Sequence, residues 1–209
     1  MVRIKRSIYL TVLIVLAIAV GVGAYFTFRG PSGNGREFSE NYHFSFENGF
    51  QNWQSNGTDL KNPPVEWSID LSDNLTSHGE TAVKFYLSNL NDAGKIWLER
   101  PFVVEPNTNY LVDISYDFAS ADYGDINLWT IITGVHGKPP RTADDLKFQG
   151  DTGNGADSNV GFKWMNKHYR LTIESGWKGE IYVTLGVWGT WETSRIYFID
   201  NVRINIEET

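Results

Sequence analysis

Eight tryptophans and ten tyrosines in 209 residues are more than a core of this size needs. An indole offers a flat apolar face on which the C–H face of a sugar ring can stack, while Asp, Asn, Gln and Arg take its hydroxyls. Trp129, Trp188 and Trp191 are the candidate stacking residues, and Asp113, Asp117 and Asn127 the candidate hydrogen-bonding partners. Core packing is the competing role for every indole, and Trp53, Trp67 and Trp164 are assigned mainly to it.

Chemistry of other kinds lacks its residues. The chain has no cysteine, hence neither disulfides nor a thiolate site. His43, His78, His136 and His168 are scattered without zinc-ligand spacing. No glycine-rich phosphate loop follows a strand, and no G-x-S-x-G elbow occurs. No segment carries the closely alternating catalytic carboxylates that jelly-roll glucanases place on a strand for glycoside hydrolysis. The expectation is a protein that is not an enzyme.

The elements that must position the candidates are strands. Val83, Phe85 and Leu87 alternate with Lys84, Tyr86 and Ser88, and Tyr110, Val112, Ile114, Tyr116 and Phe118 alternate with Leu111, Asp113, Ser115 and Asp117, the period of a strand with one buried face. Asp113, Ser115 and Asp117 thus form a polar row opposite the core. In Ile181–Trp188 the residues Ile181, Val183, Leu185 and Val187 share one face, which turns Trp188 away from the core. In Asp125–Thr133, Asn127, Trp129 and Ile131 oppose Ile126, Leu128, Thr130 and Ile132, and periodicity leaves open which set is buried. With Glu66–Asp70, Ile96–Val104, Phe162–Glu174 and Arg195–Ile206, about nine strands are expected, an all-β antiparallel sandwich or jelly roll. Gly134–Gly161 breaks the rhythm and reads as a solvated loop, with Asp151, Asn154 and Asp157 only hinting at calcium.

Ile8–Phe28 is an uncharged apolar run of about 21 residues, long enough as a helix to cross a bilayer. Arg3, Lys5 and Arg6 precede it, which keeps the tail cytoplasmic and sends the rest outward. A cleaved signal peptide and a processed pilin-type leader are the alternatives. Residues 1–28 are therefore expected as tail and transmembrane signal anchor, 29–41 as a flexible linker and 42–209 as an extracellular domain on a single-pass cell-membrane protein. Beyond residue 30 stand 14 basic and 25 acidic residues, about −11, which argues against nucleic acid as a partner. Asn56-Gly57-Thr58 and Asn74-Leu75-Thr76 are glycosylation acceptor patterns, making Asn56 and Asn74 candidate sites.

Three segments carry a family resemblance. Phe46-Glu47-Asn48-Gly49 with Trp53, then His78-Gly79-Glu80-Thr81-Ala82-Val83-Lys84 followed by Val104–Tyr110, and last Trp164, Tyr169, Ile181-Tyr182-Val183 and Tyr197-Phe198-Ile199-Asp200-Asn201-Val202 resemble carbohydrate-binding modules of the galactose-binding-like jelly-roll type, the family 4, 9, 16 and 22 group. The resemblance covers about residues 43–206. It implies a polysaccharide or surface glycan as partner, and a structural calcium with Glu47 and Asp200 as ligands and carbonyls near Ser77 or His78 completing the shell. A lone module on a membrane also fits a second role, a structural subunit of a surface layer or filament built by self-association.

Overall fold

The computed structural model describes residues 38–121, 129–152, 162–189 and 194–209. The span 8–28 and the candidates Asn127 and Trp191 lie outside the described residues. Among the described residues no helix is long and apolar enough to cross a membrane.

Phe38–Thr209 is one compact unit of two antiparallel sheets. The strands are β1 (Ser39–Phe44), β2 (Gln54–Thr58), β3 (Glu66–Ser72), β4 (Ala82–Ser88), β5 (Lys95–Val103), β6 (Asn109–Ala121), β7 (Trp129–His136), β8 (Phe148–Thr152), β9 (Phe162–Glu174), β10 (Glu180–Gly189) and β11 (Ser194–Glu208). The first sheet runs β3-β4-β11-β6-β9 with β1 also on β11, and the second runs β2-β5-β10-β7-β8. The all-β antiparallel sandwich expected from the alternation is what forms. β1 begins at Ser39, so residues 39–41, expected in the linker, are strand: Ser39, Glu40 and Asn41 pair with Glu207, Ile206 and Asn205, a polar edge that composition alone reads as linker.

The core lies between the sheets, where Phe85, Tyr110, Ile114, Tyr116, Phe118, Leu98, Val183, Leu185 and Tyr197 are buried. Parity follows the period of two until β11. There Tyr197 and Ile199 face the core, the register against β6 shifts between Asp200 and Arg203, and Val202, Ile204 and Ile206 become the buried set. Asn201, at φ 52°, absorbs this β-bulge, which places two residues opposite one and flips the strand's parity. Asp200 is thereby left on the outer side, fully buried beneath the 77–81 segment.

The stretch read as a solvated loop is in part a cover. After β7 the chain makes a 3₁₀ turn, Ala143–Asp145, and lays buried Leu146 against Trp97, Ile132 and Trp188 on the outer face of the second sheet. Thr142 and Asp145 close the turn as a reciprocal capping pair. This explains why β7 shows no alternation: all eight of its residues are buried, because both of its faces are covered. Gly186, midway along β10, lets the sheet accept Trp97; a Cβ there would stand 2.2 Å from the Ile96 carbonyl oxygen and 2.6 Å from the Trp97 Cα.

The registers define two ends. Ser39, Val103, Asn109, Glu174, Glu180 and Glu207 lie at one, which we call proximal because the described chain enters there at Phe38. Thr58, Glu66, Ser88, Lys95, Trp129, Gly189 and Ser194 lie at the other, distal end.

Candidate functional site

The structure distributes the sequence candidates over three places. Trp129 is in the inter-sheet core, 1% exposed, with its ring 5.0 Å from Phe118 and edge-on to Tyr197. It is removed from the stacking set, since no sugar reaches an indole packed on its faces. Asp113 and Asp117 do lie on the outer side of β6, as their parity requires. Trp188 lies on the outer side of the other sheet, so a single groove cannot gather all three. Asn127 and Trp191, outside the described residues, are not placed among these.

The polar row on the first sheet is closed on itself. Asp113 meets His168 Nε2 at 2.6 Å and Arg170 Nε at 3.5 Å. Asp117 accepts from Ser77 Oγ, Asn166 Nδ2 and Asn201 Nδ2. Burial pushes the Asp117 carboxyl up, but these hydrogen bonds outweigh it and hold the group below the usual range. A groove of about 260 Å³ passes here between Asn41, His43, Asp113, Arg203 and Asn205. Tyr42 also lines it, but that ring packs edge-on against Phe102, and the groove offers mainly charge and amides, with no indole.

Glu47 and Asp200 grip one segment. Glu47 Oε1 accepts from the amides of Glu80 and Thr81; Asp200 Oδ2 accepts from the amides of Ser77 and His78 and from Ser77 Oγ, and Oδ1 from the Asn201 amide. Gly79, at φ +70°, passes so close that a Cβ would stand 2.4 Å from Glu47 Oε1. Calcium requires six to eight oxygens, whereas N–H donors converge on this pair. As placed, Glu47 and Asp200 do not fit a calcium site; their negative charge is matched by amide dipoles instead.

Trp188 is half-buried. Its Nε1 donates to the Asp92 carbonyl at 2.7 Å, Lys95 Nζ lies 4.9 Å over its ring, and Phe148 meets its edge. Lys95 in turn holds Asp59 at 2.8 Å. Through Asp92, Lys95 and Asp59, Trp188 braces two distal loops, 59–65 and 89–94, from behind.

Between those loops opens a cleft of about 780 Å³, lined by Gly57, Thr58, Asp59, Lys61, Asn62, Trp67, Asn91 and Ala93 among others. Asn91 shapes its floor, donating Nδ2 to the carbonyls of Asp59 and Asn62 and accepting from the Ala93 amide. Trp67 shares the core-facing parity of Ile69, yet at the start of edge strand β3 it stays 36% exposed. Sequence reasoning assigned Trp67 to packing. The available signal was Leu60-Lys61-Asn62-Pro63-Pro64, a turn-rich stretch directly before it. Of the acceptor asparagines, Asn74 is exposed and Asn56 is half-buried within β2.

No protein-family model and no curated protein matches the chain. Solved structures similar to it include the CBM22-1 xylan-binding domain of Xyn10C from Paenibacillus barcinonensis, at 16% identity over 84% of this chain and 99% of that one, TM-score 0.47. The mannan-recognising module TmCBM27 is similar at 16% identity over 82% and 98%, TM-score 0.48. So is the K1 cleaved adhesin domain of Lys-gingipain from Porphyromonas gingivalis W83, at 12% identity over 79% and 97%, TM-score 0.47. Carbohydrate-binding modules, the group resembled by the motifs, are thus among the structures similar to this chain. At these scores the likeness bears on neither ligand nor site.

Proposed function

We propose that the chain is a membrane-anchored, extracellular carbohydrate-binding module without catalysis, and that the distal cleft holds the sugar. The observation that carries the reading is Trp67, part-exposed in a cleft of about 780 Å³ beside Asn62, Asn91, Asp59, Thr58 and Lys61. Small-molecule sites range over about 300–1,000 Å³ and join an apolar wall to a few fixed polar groups. Here the indole supplies the stacking wall, and the amides, carboxylate and ammonium supply partners for hydroxyls. The anchor is the run Ile8–Phe28, with the domain on the far side of the membrane from Arg3, Lys5 and Arg6.

The test is retention of the full-length chain, in detergent, on a polysaccharide array and in affinity electrophoresis. Binding is expected for the wild type and lost in Trp67→Ala, and kept in Leu90→Ala, a change at an exposed apolar side chain outside the cleft lining. Equal retention by Trp67→Ala refutes the site; silence across a broad panel, with self-association on sedimentation, favours the surface-layer subunit. Resistance to alkaline extraction checks the anchor.

A further inference from the structure

The proximal end carries the most exposed large apolar side chains among the described residues. Trp177 is 78% and Val103 75% exposed. Trp177 tips the β9–β10 turn, which is pinned by Asn107 N–H to the Gly176 carbonyl and by Val104 N–H to the Gly179 carbonyl. Val103 pairs with Glu180, the first residue of β10, where that turn enters the second sheet. Lys178 Nζ lies 5.5 Å over the Trp177 ring. A rigid turn therefore holds a bare indole and an ammonium side by side in water, where the indole gains nothing from exposure.

The described chain begins at this same end. The Phe38 ring meets Tyr110 edge-on at 5.5 Å, the Tyr110 hydroxyl accepts from the Glu105 amide, and the Glu105 carbonyl accepts from Ser175 Oγ, two residues before Trp177. In the sequence only residues 29–37 separate Phe38 from the apolar run, and a chain of that length reaches at most about 30 Å.

We propose that the proximal end docks on the outer membrane–water interface, with Trp177 seated at headgroup depth, Val103 beside it and Lys178 directed to lipid phosphates. This rests on the membrane-anchor reading of Ile8–Phe28. Tryptophan favours that depth, where its ring is apolar and its N–H stays wet, and lysine reaches from it to the polar layer. One indole binds a bilayer weakly when free in solution; tethering raises its local concentration to the order of millimolar or above, so weak partitioning becomes occupancy. Glu105, Glu174, Glu207 and Glu208 share this end, which selects a zwitterionic over an anionic surface. Docking would hold the distal cleft away from the membrane.

All eight tryptophans lie in the described unit or the connections within it, and none precedes Phe38. The intact chain, reconstituted in phosphatidylcholine vesicles brominated in the upper acyl chain, should therefore show tryptophan quenching from the domain alone. The expected result is loss of about one indole's share of emission in the wild type and none in Trp177→Ala. Flotation with the vesicles but no quenching overturns docking and leaves the anchor standing. Quenching that persists in Trp177→Ala overturns it as well. Absence of flotation removes the anchor reading and the docking with it. If Trp177→Ala instead converts a sedimenting dimer to monomer without any quenching, the occupant is a second copy and the proposal falls.

Discussion

His136 supplies a test of the cover over the second sheet. Its imidazole is buried at the end of β7, with Nε2 2.9 Å from Thr184 Oγ1, and Lys147 and Asp145 of the covering segment face it. Burial first, and the Lys147 charge second, lower its pKa from 6.5 to about 4, with Asp145 opposing. Between those values the unfolded chain binds a proton that the folded chain refuses, so stability is full above the unfolded pKa and falls as the pH drops through 6.5. For this single group the loss between pH 7 and 5 is about 2 kcal/mol, approaching about 3 kcal/mol near pH 4. The assay is urea unfolding of wild type and His136→Gln at pH 7, 6 and 5; the difference between the two slopes isolates His136 from carboxylates common to both. The wild type should lose about 2 kcal/mol more than the variant by pH 5. Parallel losses, or an imidazole proton that titrates near 6.5 by NMR, would show that water reaches the ring and that the 137–149 segment does not seal this face.

Three further outcomes follow from the outer side of the first sheet and the middle of the second. Asp200→Ala strips the amides of Ser77, His78 and Asn201 of their acceptor, at about 1–3 kcal/mol for each donor left buried, and should lower the thermal midpoint sharply. Because amides already meet Glu47 and Asp200, the wild-type midpoint should be the same in calcium and in chelator; an ion bound at a hundredfold its Kd would add about 2.7 kcal/mol, and such a rise would restore the calcium site. Gly186→Ala drives a methyl into the Ile96 carbonyl and the Trp97 backbone, so soluble yield should collapse or stability fall by about 3 kcal/mol or more. An unchanged melting curve would mean that β5 and β10 can separate there.

Legibility in the sequence tracked how locally each feature is determined. Tyr110 to Phe118 alternate because one face of β6 meets the core and the other meets polar neighbours, and parity placed Asp113 and Asp117 correctly. β9 could be bounded for the same reason. β7 could not be resolved, since Leu146, in the segment that folds back after the strand, covers its outer face and leaves both parities buried. That ambiguity cost Trp129. The edge strands β1 and β2 are polar and resemble linker until their partners are known. In β11 the bulge at Asn201 reverses the buried parity, so no single period describes Ser194–Glu208. Trp67 is the instructive miss: its parity is that of a core residue, and only the 59–65 loop, arriving from the other sheet, turns the start of β3 into the wall of a cleft.

The arrangement of β1 bears on how the domain carries force. A pull between Phe38 and a ligand held at the distal cleft acts along the strand axes, and β1 is antiparallel to β11 through six residue pairs from Ser39↔Glu207 to Phe44↔Val202. Load applied in that direction slides the two strands past each other and is shared by the whole ladder at once. A pull across the sheet would instead open the pairs singly, beginning at Ser39. On the proposed reading, in which the domain is held at Phe38 and seized from the distal side, the load falls in the stronger of the two directions, with the amide ladder between β1 and β11 acting as a shear joint.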